Sequence, residues 1–152
     1  MNRWRRSFFK LAGAALAVAG GLASSGRVLA ATWNKSGFES KVLADAIRAL
    51  GATGAAESKD IVITAPDIAE NGAVVPVAVV SRIANTRSIS ILAEKNPFPL
   101  AATFDIAGTD AYVSTRVKMG QTSNLRAIVQ ADGKFYTAVK EVKITIDRKS
   151  VV

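Results

Sequence analysis

Neither cysteine nor histidine occurs anywhere in the 152 residues. Without cysteine no disulfide can staple the fold, so stability must come from a buried apolar core, which a chain of this size can supply. The same two absences remove Ser-His-Asp and Cys-His catalysis, zinc sites of the usual ligand set, thiol redox chemistry and haem ligation by His or Cys. Few common enzyme mechanisms survive, and the expectation is a protein that is not an enzyme and holds no metal or cofactor. A long hydrophobic run is missing as well. The uncharged stretch from Leu11 to Leu22 is rich in Ala and Gly, whereas about 20 apolar residues are needed to span a bilayer. It is too short and too weakly apolar for a stable transmembrane helix.

That stretch has a different meaning in its setting. Arg5 and Arg6 are followed by Ser7, Phe8, Phe9 and Lys10, close to the twin-arginine pattern of an export signal. Val28-Leu29-Ala30 then offers small residues where signal peptidase reads, with cleavage before Ala31. Residues 1–30 are therefore expected to be a twin-arginine signal peptide, and residues 31–152 one exported domain. Of the 20 basic residues five fall in the leader, leaving 15 against 12 acidic residues, a net charge of +3. An excess that small is an ordinary solvated surface and gives no reason to expect nucleic acid. Once the leader is removed, no membrane association is expected either.

Past the leader, Ser36-Gly37-Phe38-Glu39 reads as a capping box. Phe38, Val42, Leu43, Ala46, Ile47 and Leu50 follow at the spacing of one helical face, and Gly51 supplies a stop. One amphipathic helix is predicted over about 36–50, with a loop from Gly54 to Asp60. From Ile61 the apolar period changes to 2. Strands are predicted at 61–64, 73–81, 88–94, 100–106, 112–119 and 125–130, with a last one from Lys134. Asn71-Gly72 is read as a turn of positive φ, and Pro76 as a sign of an edge or bulged strand. Asp132-Gly133 between alternating runs is the strongest hairpin signal, of type I′. About seven short strands after one helix predict a mainly β fold, an immunoglobulin-like antiparallel sandwich.

Four features invite a functional reading. Arg116, Lys118 and Arg126 either form a basic stripe for an anion or belong to the solvated outer face of a sheet. Asp105 and Asp110, flanking Gly108-Thr109, either pair for acid–base or calcium chemistry or sit at a strand end and turn. Trp33 either marks a ligand groove or packs near a mature N-terminus. Pro97-Phe98-Pro99 presents an apolar ring between two prolines, at little conformational cost to a partner contact. Its plainer reading is a rigid inter-strand crossover. No credible catalytic residue emerges from these.

Several separated stretches resemble one family. They are Glu70 to Val77 (Glu-Asn-Gly-Ala-Val-Val-Pro-Val), Glu94 to Phe104 (beginning Glu-Lys-Asn-Pro-Phe-Pro-Leu), Ser114 to Met119, Ala131 to Ala138, and Lys140 to Ile146. Together they are similar to SoxY, the sulfur carrier subunit of periplasmic thiosulfate oxidation, and the twin-arginine leader fits it. The resemblance implies an immunoglobulin-like sandwich preceded by helix. It implies a periplasmic heterodimer with SoxZ, a smaller β-sandwich subunit, visited transiently by other sulfur-oxidation enzymes. It also implies a carrier cysteine in a Gly-Gly-Cys-Gly-Gly arm shortly after Ile146. Here Asp147-Arg148-Lys149-Ser150-Val151-Val152 follows instead. A thiolate forms reversible S–S bonds, and the Ser150 hydroxyl cannot replace it. The expectation is a SoxY-like scaffold with partner binding and without covalent carriage. The alternative is a non-covalent periplasmic binding or assembly module no longer engaged in sulfur carriage.

Overall fold

The computed structural model describes residues 33–108 and 110–145. Arg5 and Arg6, expected to belong to an export signal, Ile146, and the positions after it where a carrier cysteine is expected lie outside the described residues.

Two short helices open the described chain, α1 (Lys35–Glu39) and α2 (Leu43–Ala49). The single helix expected over 36–50 is thus broken, because Ser40 and Val42 both take extended backbone. Ser40 Oγ donates to the Ser36 carbonyl at 2.6 Å, the kind of local side-chain bond that competes with helix continuation. The cap also moves. Asn34, not Ser36, is the N-cap, its Oδ1 accepting from the Gly37 amide at 3.0 Å while Ser36 donates to that same oxygen. Asn34 Nδ2 in turn donates to the Ala49 carbonyl at 2.8 Å, tying the start of α1 to the end of α2. Gly51, at φ +74°, ends the pair as its sequence position suggests.

Seven strands of four or more residues follow, with two of only two residues among them. They are β1 (Ala56–Glu57), β2 (Ile61–Thr64), β3 (Ile68–Ala69), β4 (Val75–Ser81), β5 (Thr86–Ala93), β6 (Leu100–Asp105), β7 (Tyr112–Val117), β8 (Ser123–Ala131) and β9 (Lys134–Ile144). One sheet has the order β1-β9-β8-β5-β6, with β3 also on β9; the other is β2-β4-β7. The long pairings are antiparallel, whereas β1 and β3 run parallel to β9. Asp132 (φ +50°) and Gly133 (φ +71°) make the expected left-handed hairpin turn between β8 and β9. The chain is a mainly β sandwich of immunoglobulin-like type with helices ahead of it, as its periodicity predicts.

Two turn and edge readings need correction. Gly72 does not take positive φ. It is glycine because a Cβ there would overlap the Met119 carbonyl oxygen, and the Met119 amide donates to the Gly72 carbonyl at 2.7 Å. Pro76 lies in the central strand of its sheet, not an edge strand. It is tolerated because β2 stops short: the last β2–β4 pair is Thr64 with Ala78, so Pro76 faces a paired strand only on the β7 side, opposite Arg116.

Alternation then builds the core. Ile61, Val75, Val77, Val79, Val113 and Val117 point inward from the small sheet against Ile89, Ile91, Leu125, Val129 and Val142 of the large one. Each fully buried side chain of this kind contributes about 1.5–3 kcal/mol relative to exposure. A second cluster lies on the outer side of the large sheet, where Leu92, Leu100, Ile128 and Phe135 pack against Phe38, Leu43, Ala46, Ile47 and Leu50. The helices therefore cover that outer face. Among the described residues every buried side-chain nitrogen and oxygen has a hydrogen-bond partner.

Candidate partner interface

The loop after β5 joins two neighbouring strands of one sheet, so it is a hairpin connection and not a crossover between sheets. It is pinned from within and from below. The Ala93 amide donates to the Pro99 carbonyl at 2.8 Å, and the Asn96 amide to the Ala93 carbonyl at 3.1 Å. Asn96 then bridges to the β7–β8 connection, donating through Nδ2 to the Lys118 carbonyl at 2.6 Å and accepting from the Gly120 amide at 3.3 Å. The Lys95 amide donates to Ser123 Oγ at 3.0 Å. Within this frame Pro99 is buried, Pro97 is exposed and the Phe98 ring stands 50% exposed. The ring is thus carried on a loop pinned to β5 and to the β7–β8 connection.

Phe98 borders a cleft of about 250 Å³ that Asn96, Ala101, Ala102, Thr115, Arg116, Val117 and Lys118 complete. β6 and β7, the edge strands of opposite sheets, come side by side there. Arg116 and Lys118 share this cleft. Arg126 does not join them, because β8 belongs to the other sheet. Its guanidinium is held by the Glu94 carboxylate at 2.6 and 2.8 Å, both side chains partly buried. The three-residue basic stripe is therefore two separate features. The end of β9 lies at this same end of the sandwich: the Ile144 amide donates to Thr122 Oγ1 at 2.9 Å and the Thr145 amide to the Ala69 carbonyl at 3.1 Å.

The opposite end holds an open cavity of about 750 Å³ beside Arg82, Arg87, Asn85, Asp110 and Asp132. Asn85 Nδ2 donates to Asp132 Oδ1 at 3.0 Å. Asp110 borders this cavity and Asp105 does not, so the two carboxylates are not brought together there. Among the described residues no three His, Cys, Asp or Glu side chains converge as a metal site. Trp33 is largely exposed at the start of the described chain. No described helix is long and apolar enough to cross a membrane.

One surface escaped the sequence reading. The outward positions of β2-β4-β7 form rows across the sheet: Val62, Val80 and Tyr112; Thr64, Ala78 and Ser114; Pro76 and Arg116. Val62 is 38%, Val74 48% and Tyr112 56% exposed. The signal was present as apolar residues at both alternations of β2 and β4, which marks a strand with apolar residues on both faces.

The model of the family described as sulfur oxidation protein SoxY matches residues 47–147. No curated protein matches. Among solved structures, the sulfur carrier protein SoxY from Chlorobium limicola f. thiosulfatophilum is 44% identical, with a TM-score of 0.60 over 68% of this chain and 96% of that one. A superoxide reductase (neelaredoxin) from Ignicoccus hospitalis is 19% identical, with a TM-score of 0.50 over 56% of this chain and 79% of that one, and shares the fold alone. With the family pattern spanning most of the described sandwich and a close relative covered nearly end to end, this chain belongs to the SoxY family of sulfur-oxidation proteins.

Proposed function

We propose that this chain is an exported scaffold subunit of a periplasmic thiosulfate-oxidation carrier complex, paired with a SoxZ-like β-sandwich subunit and not itself a covalent carrier. Residues 1–30 act as the twin-arginine signal that takes it out. One observation carries the reading: the family pattern runs through β9 to residue 147, and Asp147-Arg148-Lys149-Ser150-Val151-Val152 stands where its cysteine arm is expected, with no thiol among the 152 residues. Sulfur carriage of the S–S type needs a thiolate that attacks, or is attacked by, another sulfur. The serine, threonine and tyrosine hydroxyls present cannot form such a bond, and the two methionines are thioethers with no ionisable S–H. What the fold keeps is shape and the rigidly mounted Pro97-Phe98-Pro99 loop, which supports a partner contact.

The test uses the full chain co-expressed with a SoxZ subunit. The expected result is co-purification as a one-to-one complex. After incubation with sulfide or thiosulfate and an oxidised partner enzyme, intact-mass spectrometry shows no persulfide or thiosulfonate on this polypeptide. A covalent sulfur adduct on the chain overturns the non-carrier reading, and a strictly monomeric chain overturns the scaffold reading.

A further inference from the structure

The geometry points to the outer face of β2-β4-β7 as the surface that docks the β-sandwich partner, through an apolar row of Val62, Val80 and Tyr112 at one end and the cations Arg116 and Lys118 at the other. This rests on the heterodimer reading above and assigns its contact surface.

Four observations carry it. First, two of the three outward rows of this sheet are apolar or small and uncharged, Val62 beside Val80 beside Tyr112 and Thr64 beside Ala78 beside Ser114, with Arg116 beside Pro76 the one charge on the strands. Contiguous exposed apolar surface of this kind marks a contact site. Second, Val62 and Tyr112 stand 38% and 56% exposed on it, whereas the large sheet's outer face is covered by α1 and α2. Third, β2, β4 and β7 contain no Asp or Glu, and neither Arg116 nor Lys118 has an ion-pair partner among the described residues. Fourth, those two cations lie beside the exposed Phe98 ring in the cleft at the end of the face away from Tyr112.

Charge and size define the partner. A second copy would bring the same three strands, whose nearest carboxylates, Asp60 and Asp110, flank only the Val62–Tyr112 end, so only an antiparallel pairing would offer them to Arg116, and the self-dimer arm below tests that pairing. A different chain with a flat apolar sheet face and carboxylates along one margin answers both features. Three strands of this length present only about 14 by 24 Å at ordinary strand spacing and rise. A stable interface takes about 800 Å² from each side. The contact must therefore run past the strands on to the Phe98 loop, which places that loop at the margin of the interface and not at its centre.

The experiment measures affinity of the purified full chain for its β-sandwich partner by calorimetry, with far-UV circular dichroism on every variant. Tyr112→Asp sets a carboxylate in the apolar row and is expected to weaken binding by about tenfold or more, the scale of a buried aromatic contact. Arg116→Glu, on an exposed side chain, is expected to weaken it several-fold, and more so at low salt, where charge pairs are least screened. Should Tyr112→Asp fail to fold, Arg116→Glu carries the test alone. Arg48→Ala, on α2 against the other sheet, is expected to leave affinity unchanged. Unaltered binding in both face variants overturns the assignment while leaving the heterodimer standing. An Arg48→Ala loss equal to theirs overturns it too. A wild-type chain that binds no partner removes the heterodimer reading and the assignment with it. A wild-type self-dimer that Tyr112→Asp dissolves, with the partner complex intact, overturns it in favour of a second copy.

Discussion

The two sheets of this sandwich turn very different backs outward. Behind the large sheet, Leu92, Leu100 and Ile128 are buried beneath α1 and α2. Behind the small sheet, Val62, Val74 and Tyr112 stand exposed. In sequence the two regions look alike, since both have strands with apolar residues at successive positions: Ile91-Leu92-Ala93 in β5, Val79-Val80 in β4. A strand of that kind announces that both its faces are apolar. Only the tertiary structure says that this chain supplies its own cover for one face and, among the described residues, none for the other. The covered face is an element of stability. The bare one carries apolar surface that folding alone does not explain.

That contrast breaks first at the covered face. Leu92→Ala removes a fully buried side chain between β5 and the helices, and the expected loss of unfolding free energy is about 2–5 kcal/mol, as for other core leucines. Urea denaturation followed by circular dichroism measures it. A loss below about 1 kcal/mol, the range of ordinary surface changes, would mean that the helices do not hold that face. Next comes Gly72→Ala, which tests how rigidly the end of the small sheet is tied to its rim. The new Cβ meets the Met119 carbonyl, a backbone atom that cannot swing aside. A loss of about 1–3 kcal/mol is expected by the same assay, the usual cost of overpacking. A third, smaller effect is expected for Glu94→Gln, which leaves the partly buried Arg126 with a neutral partner on the outer side of β8. A loss of about 1–2 kcal/mol is expected, since hydrogen bonds between charged groups are worth about 1.5–3. Adding Arg126→Met should recover part of it, and a double-mutant cycle showing no coupling would refute the pairing.

How far the sequence foretold these features depends on whether the cause was local. Asp132-Gly133 and Gly51 were legible because positive φ is a property of the residue itself, and the alternation of Val113, Thr115 and Val117 because strand period is geometric. Ser36 misled because its capping pattern competes with Asn34, whose bond to Ala49 fifteen residues away is tertiary. Gly72 was recognised as a turn for the wrong reason, as its need is space beside Met119 and not backbone freedom. The two-residue strands β1 and β3 left no trace, since their parallel pairing is dictated by the edge of β9 and not by their own residues. Of the candidate interface, Phe98 was readable from its flanking prolines. The separation of Arg126 from Arg116 and Lys118 was not, because consecutive strands β7 and β8 belong to different sheets.

The smallest expected effect on the fold is the one that sharpens the comparison most. Tyr112→Thr keeps a good strand former on β7 and removes a ring that is already 56% exposed. Among the described residues the ring's one cross-strand neighbour on that face is Val80, and a pair of this type is worth about 0.2–1 kcal/mol. Stability should therefore fall by no more than about 1 kcal/mol, several times less than for Leu92→Ala, although the tyrosine is the larger side chain. If the ring served the fold of the isolated chain, its loss would rank with that of the buried leucine, and the two faces would have to be explained alike. A near-neutral result in denaturant separates them, because a large apolar side chain then persists at a position where the lone chain gains almost nothing from it.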